Sequence, residues 1–228
     1  MKKLLLAAIL GTTGLMSAHA TVVTQSDSYG YSSTNWNYQL GALNLFDTTL
    51  GTLNKVVVTL SGAIQQHLFA ENLGASSDTL IPISGGTIYF QKGTTTTLAQ
   101  VLPTTTGSGF AATAYDGVTD NAGTSGVDFG ILSSADMTTI TFTSAAALAD
   151  FMGTGTMAGF RLRAVGAGSI GSDNGNITYT TLTQAFGKLD LAYDYTAATP
   201  SNNVPEPGSM ALMAIGLVGM AAARRKKA

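Results

Sequence analysis

The octapeptide Lys188-Leu189-Asp190-Leu191-Ala192-Tyr193-Asp194-Tyr195 decides the fold class. Leu189, Leu191, Tyr193 and Tyr195 alternate with Lys188, Asp190, Ala192 and Asp194. A period of two puts the large apolar side chains on one face of a strand and the charges on the other. A helix would scatter the same residues around its circumference. Working outward, Lys55–Leu60 repeats the pattern, with Val56, Val58 and Leu60 opposite Lys55, Val57 and Thr59. So do Thr87–Gln91, Thr138–Thr143 around Ile140 and Phe142, and Ala158–Ala164 with Phe160 and Leu162 opposite Arg161 and Arg163. Gly85-Gly86, Asp116-Gly117, Asn121–Gly123 and Gly171–Gly175 punctuate these runs, and Asn174-Gly175 ahead of Ile177–Thr183 predicts a hairpin turn. One short helix is expected at Ser144–Met152, capped by Ser144 and stopped by Gly153. The pattern predicts seven to ten short strands in an all-β fold, an antiparallel two-sheet β-sandwich.

Composition agrees. Charged residues make up 11% of the chain, against about 25% in a typical globular domain. Thr, Ser, Gly and Asn carry the polarity instead, as befits an exported protein of strands and turns. Cysteine is absent, so no disulfide staples the fold. Between residues 21 and 203, five basic residues (Lys55, Lys92, Arg161, Arg163, Lys188) face twelve acidic ones, a net charge of −7. That balance argues against nucleic acid and anionic membrane surfaces as partners.

The two ends read differently from the middle. Lys2-Lys3, the apolar run Leu4–Leu10 and Ala18-His19-Ala20 form the three regions of a secretory signal peptide, residues 1–20, with cleavage expected after Ala20. Residues 21–198 form the extracellular β domain and residues 199–204 a linker. Pro205-Glu206-Pro207 cannot continue a helix or a strand. Ser209 to Ala223 then carries no charge, enough for about 22 Å of helix. Against a hydrocarbon core of about 30 Å this is a short transmembrane span. Arg224, Arg225, Lys226 and Lys227 close the chain and hold that end in the cytoplasm.

The segment 205–228 resembles the PEP-CTERM sorting tail, its motif carried by Pro205, Glu206 and Pro207. The resemblance implies recognition by exosortase, a membrane-embedded cysteine transpeptidase of bacteria that make exopolysaccharide, and cleavage near the motif. A second stretch, Phe46-Asp47-Thr48-Thr49-Leu50-Gly51-Thr52-Leu53, looks like the signature of the choice-of-anchor E domain, with Trp36, Gly153–Thr156 and Tyr193-Asp194-Tyr195 in compatible order. That family implies a β-rich extracellular module without known catalysis. Physically the octapeptide reads as a corner: Phe46 and Leu50 anchor it in the core, Asp47 caps it, and Gly51 takes a left-handed conformation.

Catalytic chemistry is poorly supplied. After signal removal the only histidine is His67, with no cysteine and no nucleophile-elbow pattern. Glu71 is the only glutamate of the domain, so a two-carboxylate glycosidase would need an aspartate pair that no local motif marks. No metal ligand set is assigned: zinc lacks His and Cys ligands. Asp116–Asp120 and Asp173–Asn176 offer oxygens without calcium-loop spacing, and turn chemistry accounts for both. Trp36 and Tyr38 alternate onto one face, with Tyr29 and Tyr31 nearby. That spacing suits a sugar-stacking platform and equally a core-facing strand, the commoner fate of a lone Trp. The expectation is a non-enzymatic exported protein without cofactor, handled by the secretion machinery and exosortase and held in the inner membrane before processing. It then resides in the envelope or matrix with exopolysaccharide. The alternative is a secreted carbohydrate-binding module.

Overall fold

The computed structural model describes residues 20–198. The expected signal peptide, apart from Ala20, and the expected linker, sorting motif, helix and basic end lie outside the described residues. Among the described residues no helix is long and apolar enough to cross a membrane.

Eleven strands follow one another: β1 (Ala20–Ser33), β2 (Asn37–Gln39), β3 (Gly51–Asn72), β4 (Asp78–Lys92), β5 (Thr96–Val101), β6 (Thr104–Thr106), β7 (Phe110–Ala112), β8 (Gly126–Phe142), β9 (Phe160–Gly166), β10 (Ser169–Gly171) and β11 (Ile177–Ala197). A five-residue helix, α1 (Ala145–Ala149), separates β8 from β9. The strands form two antiparallel sheets, the expected all-β class. One is four-stranded in the order β1-β11-β3-β8. In the other, β4 is the spine: β9 and β10 pair with it on one side and β5, β6 and β7 on the other, with β2 beyond β9.

The strands are not uniformly short. Ile177–Thr183 and Lys188–Tyr195 belong to the single 21-residue strand β11, which pairs with the 22-residue β3 from end to end. Gly187, between the two runs, faces Gly62 across the ladder. A Cβ on Gly187 would lie 3.1 Å from the Trp36 indole, and one on Gly62 2.7 Å from Val101. These glycines let the sheets approach rather than end the strand. Gly85-Gly86 behaves likewise inside β4: a Cβ on Gly86 would meet Ile64 and the Val165 carbonyl at 2.7 Å. Asn174-Gly175 does not close a hairpin. It links β10, paired with β4 in one sheet, to β11 in the other, with Gly175 at φ +71°.

Two apolar clusters fill the space between the sheets. In the larger, Val58, Leu60, Leu189 and Leu191 meet Phe90 and Leu162. In the smaller, Leu68 and Ala70 meet Leu80, Ala112 and Ile170. Between them on the same face of β3 sits Gln66, fully buried. Its amide donates to Thr183 Oγ1 at 2.6 Å, and its carbonyl accepts from the Gly85 N–H at 3.3 Å. A buried amide without such partners would cost about 1–3 kcal/mol.

The corner at residues 46–53 differs in detail from its sequence reading. Phe46 is buried, and Asp47 caps a 3-10 turn (Thr48–Leu50) by accepting from the Thr49 N–H at 2.9 Å. Leu50 is exposed, and Leu53 enters the core instead, because β3 starts at Gly51 and its register turns Leu53 inward. Gly51 adopts φ +147°, ψ −155°, an extended region open essentially to glycine rather than the left-handed helical one. Ser144 caps α1 through the Ala147 N–H, as read, but the helix closes at Asp150, before Gly153. Phe46 withdraws residues 151–153 by backbone bonds to the Phe151 carbonyl and the Gly153 N–H.

Candidate functional site

Ala20 pairs with Thr196 at one end of the four-stranded sheet. The residue after which cleavage is expected and the strand that leads into the sorting tail are therefore neighbours. The chain enters and leaves the β domain at the same end. The opposite end is built from the loops at residues 73–77, 113–125 and 172–176, tied down by three polar residues. Glu71, fully buried, accepts from the Asn121 N–H at 2.7 Å and the Ser125 hydroxyl at 2.6 Å. Asn72 donates to the Ser76 and Thr113 carbonyls and accepts from the Gly74 N–H. Asp78 accepts from the Ser172 hydroxyl and from the N–H groups of Thr79 and Asp173.

Burial pushes the Asp78 carboxyl up, but the hydrogen bonds from Ser172, Asp173, Thr79 and Asn174 outweigh it and hold its pKa below the ordinary 3.8. A depressed folded-state pKa stabilises above the unfolded value and is lost as pH falls through the folded one. Denaturant midpoints should therefore drop as the pH is taken from above 4 to well below it, and the Asp78→Asn variant should lose less over that range. Equal slopes for the two proteins would refute the assignment.

The charge is divided along the molecule. Residues 66–85, 104–132 and 167–183, which build the half beyond Gln66, contain six acidic residues and no lysine or arginine. Every cation of the described domain lies in the other half and is engaged there. Lys55 pairs with Asp194 at 3.3 Å, Lys188 with Asp190 at 2.7 Å, and Lys92 with Asp150. Arg161 donates to Gln91, and Arg163 lies over the Tyr89 ring.

Of the residues singled out as a sugar platform, Trp36 is 8% exposed and belongs to the larger core cluster. Its indole N–H donates to the Ala185 carbonyl at 3.1 Å. Tyr29 lies 4.9 Å from both Trp36 (edge-on) and Tyr38 (stacked), and Tyr38 is only partly buried. The Tyr38 hydroxyl donates to Asp27 at 3.0 Å, and burial with that carboxylate raises its pKa. His67 Nε2 is 2.6 Å from Asp128 Oδ1. The Gly130 N–H first, and His67 second, hold Asp128 below its ordinary value. Asp116, Asp120 and Asn174 each accept from a backbone N–H two residues on, ordinary turn geometry. Among the described residues no three His, Cys, Asp or Glu side chains converge on one point.

What the sequence did not single out is the outer face of the four-stranded sheet. The register aligns Ser33, Gln184, Gln65 and Ser133 in one row across all four strands. On one side lies the row Leu182, His67, Ile131; on the other Phe186, Ala63, Ala135. A groove of about 710 Å³ runs past the amide row and around the edge of β11, which β1 leaves uncovered beyond Gln184. A second hollow of about 460 Å³ lies over Ser61, Ala63, Ala135 and Phe186. Alternation makes this face legible strand by strand, but the row exists only once four distant strands are paired.

Comparison with known proteins places one feature firmly. The family model of the PEP-CTERM protein-sorting motif matches residues 203–226. That motif implies an exported precursor, anchored in the membrane and later processed by exosortase. Among curated proteins none matches the chain. Solved structures of infectious bursal disease virus align with it at low similarity. The Gx strain structure is 14% identical over 85% of this chain and 42% of that one, at a TM-score of 0.17. The VP2 subviral particle is 14% identical over 93% and 53%, at 0.14. The chain spans about half the length of these structures, and likeness at that level carries no argument.

Proposed function

We propose that the protein is a non-enzymatic component of the cell surface or extracellular matrix, associated with exopolysaccharide and delivered there by its sorting tail. The observation that carries this reading is the sorting motif at residues 203–226, attached to an all-β domain. Secretion machinery removes the signal after Ala20, the helix near 209–223 holds the precursor in the inner membrane, and exosortase cuts near Pro205–Pro207. The neighbouring positions of Ala20 and Thr196 support this order of events, since both membrane-directed ends leave the domain together. The choice-of-anchor E resemblance of residues 46–53 belongs to the same reading. The non-catalytic part of this reading rests on the sequence, in which His67 is the one histidine of residues 21–203 and cysteine is absent. The alternative, a secreted carbohydrate-binding module, would replace the structural role with ligand capture.

Intact-mass spectrometry of the protein from cells with and without the transpeptidase tests the reading. The expected product begins at Thr21, ends near Pro205–Pro207 in the first case and retains its tail in the second. Recovery of the uncut 228-residue chain from the cytosol would overturn it. Turnover of any member of an esterase and glycosidase panel would overturn the non-enzymatic part.

A further inference from the structure

We propose that the outer face of the four-stranded sheet, centred on Gln65 and Gln184, binds a neutral polysaccharide and discriminates against acidic ones. This rests on the reading of the protein as polysaccharide-associated, and it adds where the ligand lies and which chemical class it belongs to.

The first argument is the order of the rows. Gln65 and Gln184 are directly opposed, and the side-chain amide of neither has a hydrogen-bond partner among the described residues. Ser33 and Ser133 extend the row at either end, and both are exposed. Four strands spaced about 4.8 Å apart make this row about 14 Å wide. An amide offers two donors and an acceptor, and a hydroxyl offers both functions, so the row can meet a ligand that presents many hydroxyls of either sense. The flanking rows lie about 6.8 Å away on each side, two residues along the strands. Each presents apolar side chains: Leu182, 60% exposed, and Ile131, 66%, stand either side of the His67–Asp128 pair in one, and Phe186 packs against exposed Tyr31 in the other. Polar between apolar matches a pyranose chain, whose ring faces carry C–H groups and whose rims carry hydroxyls. Isolated exposed apolar residues need no explanation, but a set flanking unspent amides around a groove of about 710 Å³ is of ligand-site size.

The second argument is charge, and it selects the ligand. The lysines on this face are matched by carboxylates, Lys55 by Asp194 and Lys188 by Asp190, and His67 is hydrogen-bonded to Asp128. Among the described residues no unpaired lysine or arginine is available on this face to receive a carboxylate, sulfate or phosphate. The described segments beyond Gln66, residues 66–85, 104–132 and 167–183, carry six carboxylates and no lysine or arginine, so their field repels a polyanion over about a Debye length. A uronate-bearing chain meets that repulsion with no contact to offset it. A neutral one does not.

The experiment uses the processed protein recovered from the producing cells. It is applied to an array of neutral polysaccharides (glucans, galactans, mannans) and of uronate polymers (alginate, polygalacturonate) at low and high salt. The expected result is binding to at least one neutral polymer, insensitive to salt, with uronates at least tenfold weaker. The double variant Gln65→Ala/Gln184→Ala should weaken neutral binding about tenfold or more. Both side chains reach the outer face and bond to nothing else, so the variant should keep the parent melting temperature. Val57→Ser on the same sheet, away from the row, controls for nonspecific loss. Failure to bind any neutral polymer, equal binding of uronates, or undiminished binding by the double variant would each overturn the proposal. So would capture of an extended peptide along the open edge of β11 in place of a glycan. Tail processing is read from the same preparations. A correctly cut protein that ignores neutral glycans refutes this inference alone, whereas an uncut one refutes the function on which it rests.

Discussion

Replacing Pro205, Glu206 and Pro207 together by alanine should leave the entire population of the protein in the membrane fraction with its tail uncut, an all-or-none effect. The physical reason lies in what those residues impose. Two prolines fix φ near −65° and remove backbone donors, which disfavours helix ahead of Ser209. Alanine, the strongest helix former, would instead let helix run backwards from Ser209 into the linker. The Glu206 charge would also be lost from the position just before the span. Anchoring itself should be unaffected, because the uncharged residues 209–223 and the basic residues 224–227 remain. Membrane fractionation and intact-mass measurement separate the two outcomes. A variant cut at the wild-type bond, with wild-type yield in the medium or on the surface, would remove the motif from the mechanism.

The second large effect concerns stability. Trp36→Ala should destabilise the domain by about 3–5 kcal/mol, the range for removing a large buried aromatic. For a domain of this size that corresponds to roughly 6–20 °C in melting temperature. Three features are lost together: the ring over Gly187, the edge-on contact with Tyr29 at 4.9 Å, and the indole donor to the Ala185 carbonyl. Trp36→Phe keeps most of the packing and forfeits the hydrogen bond, so its loss should be smaller, about 1–3 kcal/mol. Thermal denaturation of the three proteins supplies the comparison. A Trp36→Ala protein that melts with the parent yet no longer retains matrix polysaccharide would place the ring at a ligand rather than in the core.

The sequence made some of this visible and hid the rest for identifiable reasons. Period-two alternation in Lys188–Tyr195 and Lys55–Leu60 reports which side chains face the core, and the structure keeps those faces. Phe160 and Leu162 likewise point inward with Arg161 and Arg163 opposite. Glycine misleads, because the same residue serves a tight turn and a close approach of two sheets. Gly85-Gly86 reads as a boundary ahead of Thr87–Gln91 and proves to be strand interior, where a Cβ on Gly86 would strike Ile64 of the facing sheet. The corner at residues 46–53 was placed correctly, but which leucine it buries depended on where β3 begins its register. Nothing adjacent to Glu71 in the sequence marks it as buried, since isolated glutamates are usually exposed. Its burial depends on Asn121 and Ser125, which lie 50 and 54 residues away.

The sequence by itself determined the strand faces, the scarcity of catalytic groups and the sorting signal at residues 203–226, because each is written in residues adjacent along the chain. Only the tertiary structure decided that Ala20 lies beside Thr196, that Trp36 is spent on Ala185, and that Gln65 and Gln184 stand together between the rows of Leu182 and Phe186. Those facts depend on strand register between segments more than a hundred residues apart. A slip of one residue would reverse every face while leaving the local pattern unchanged.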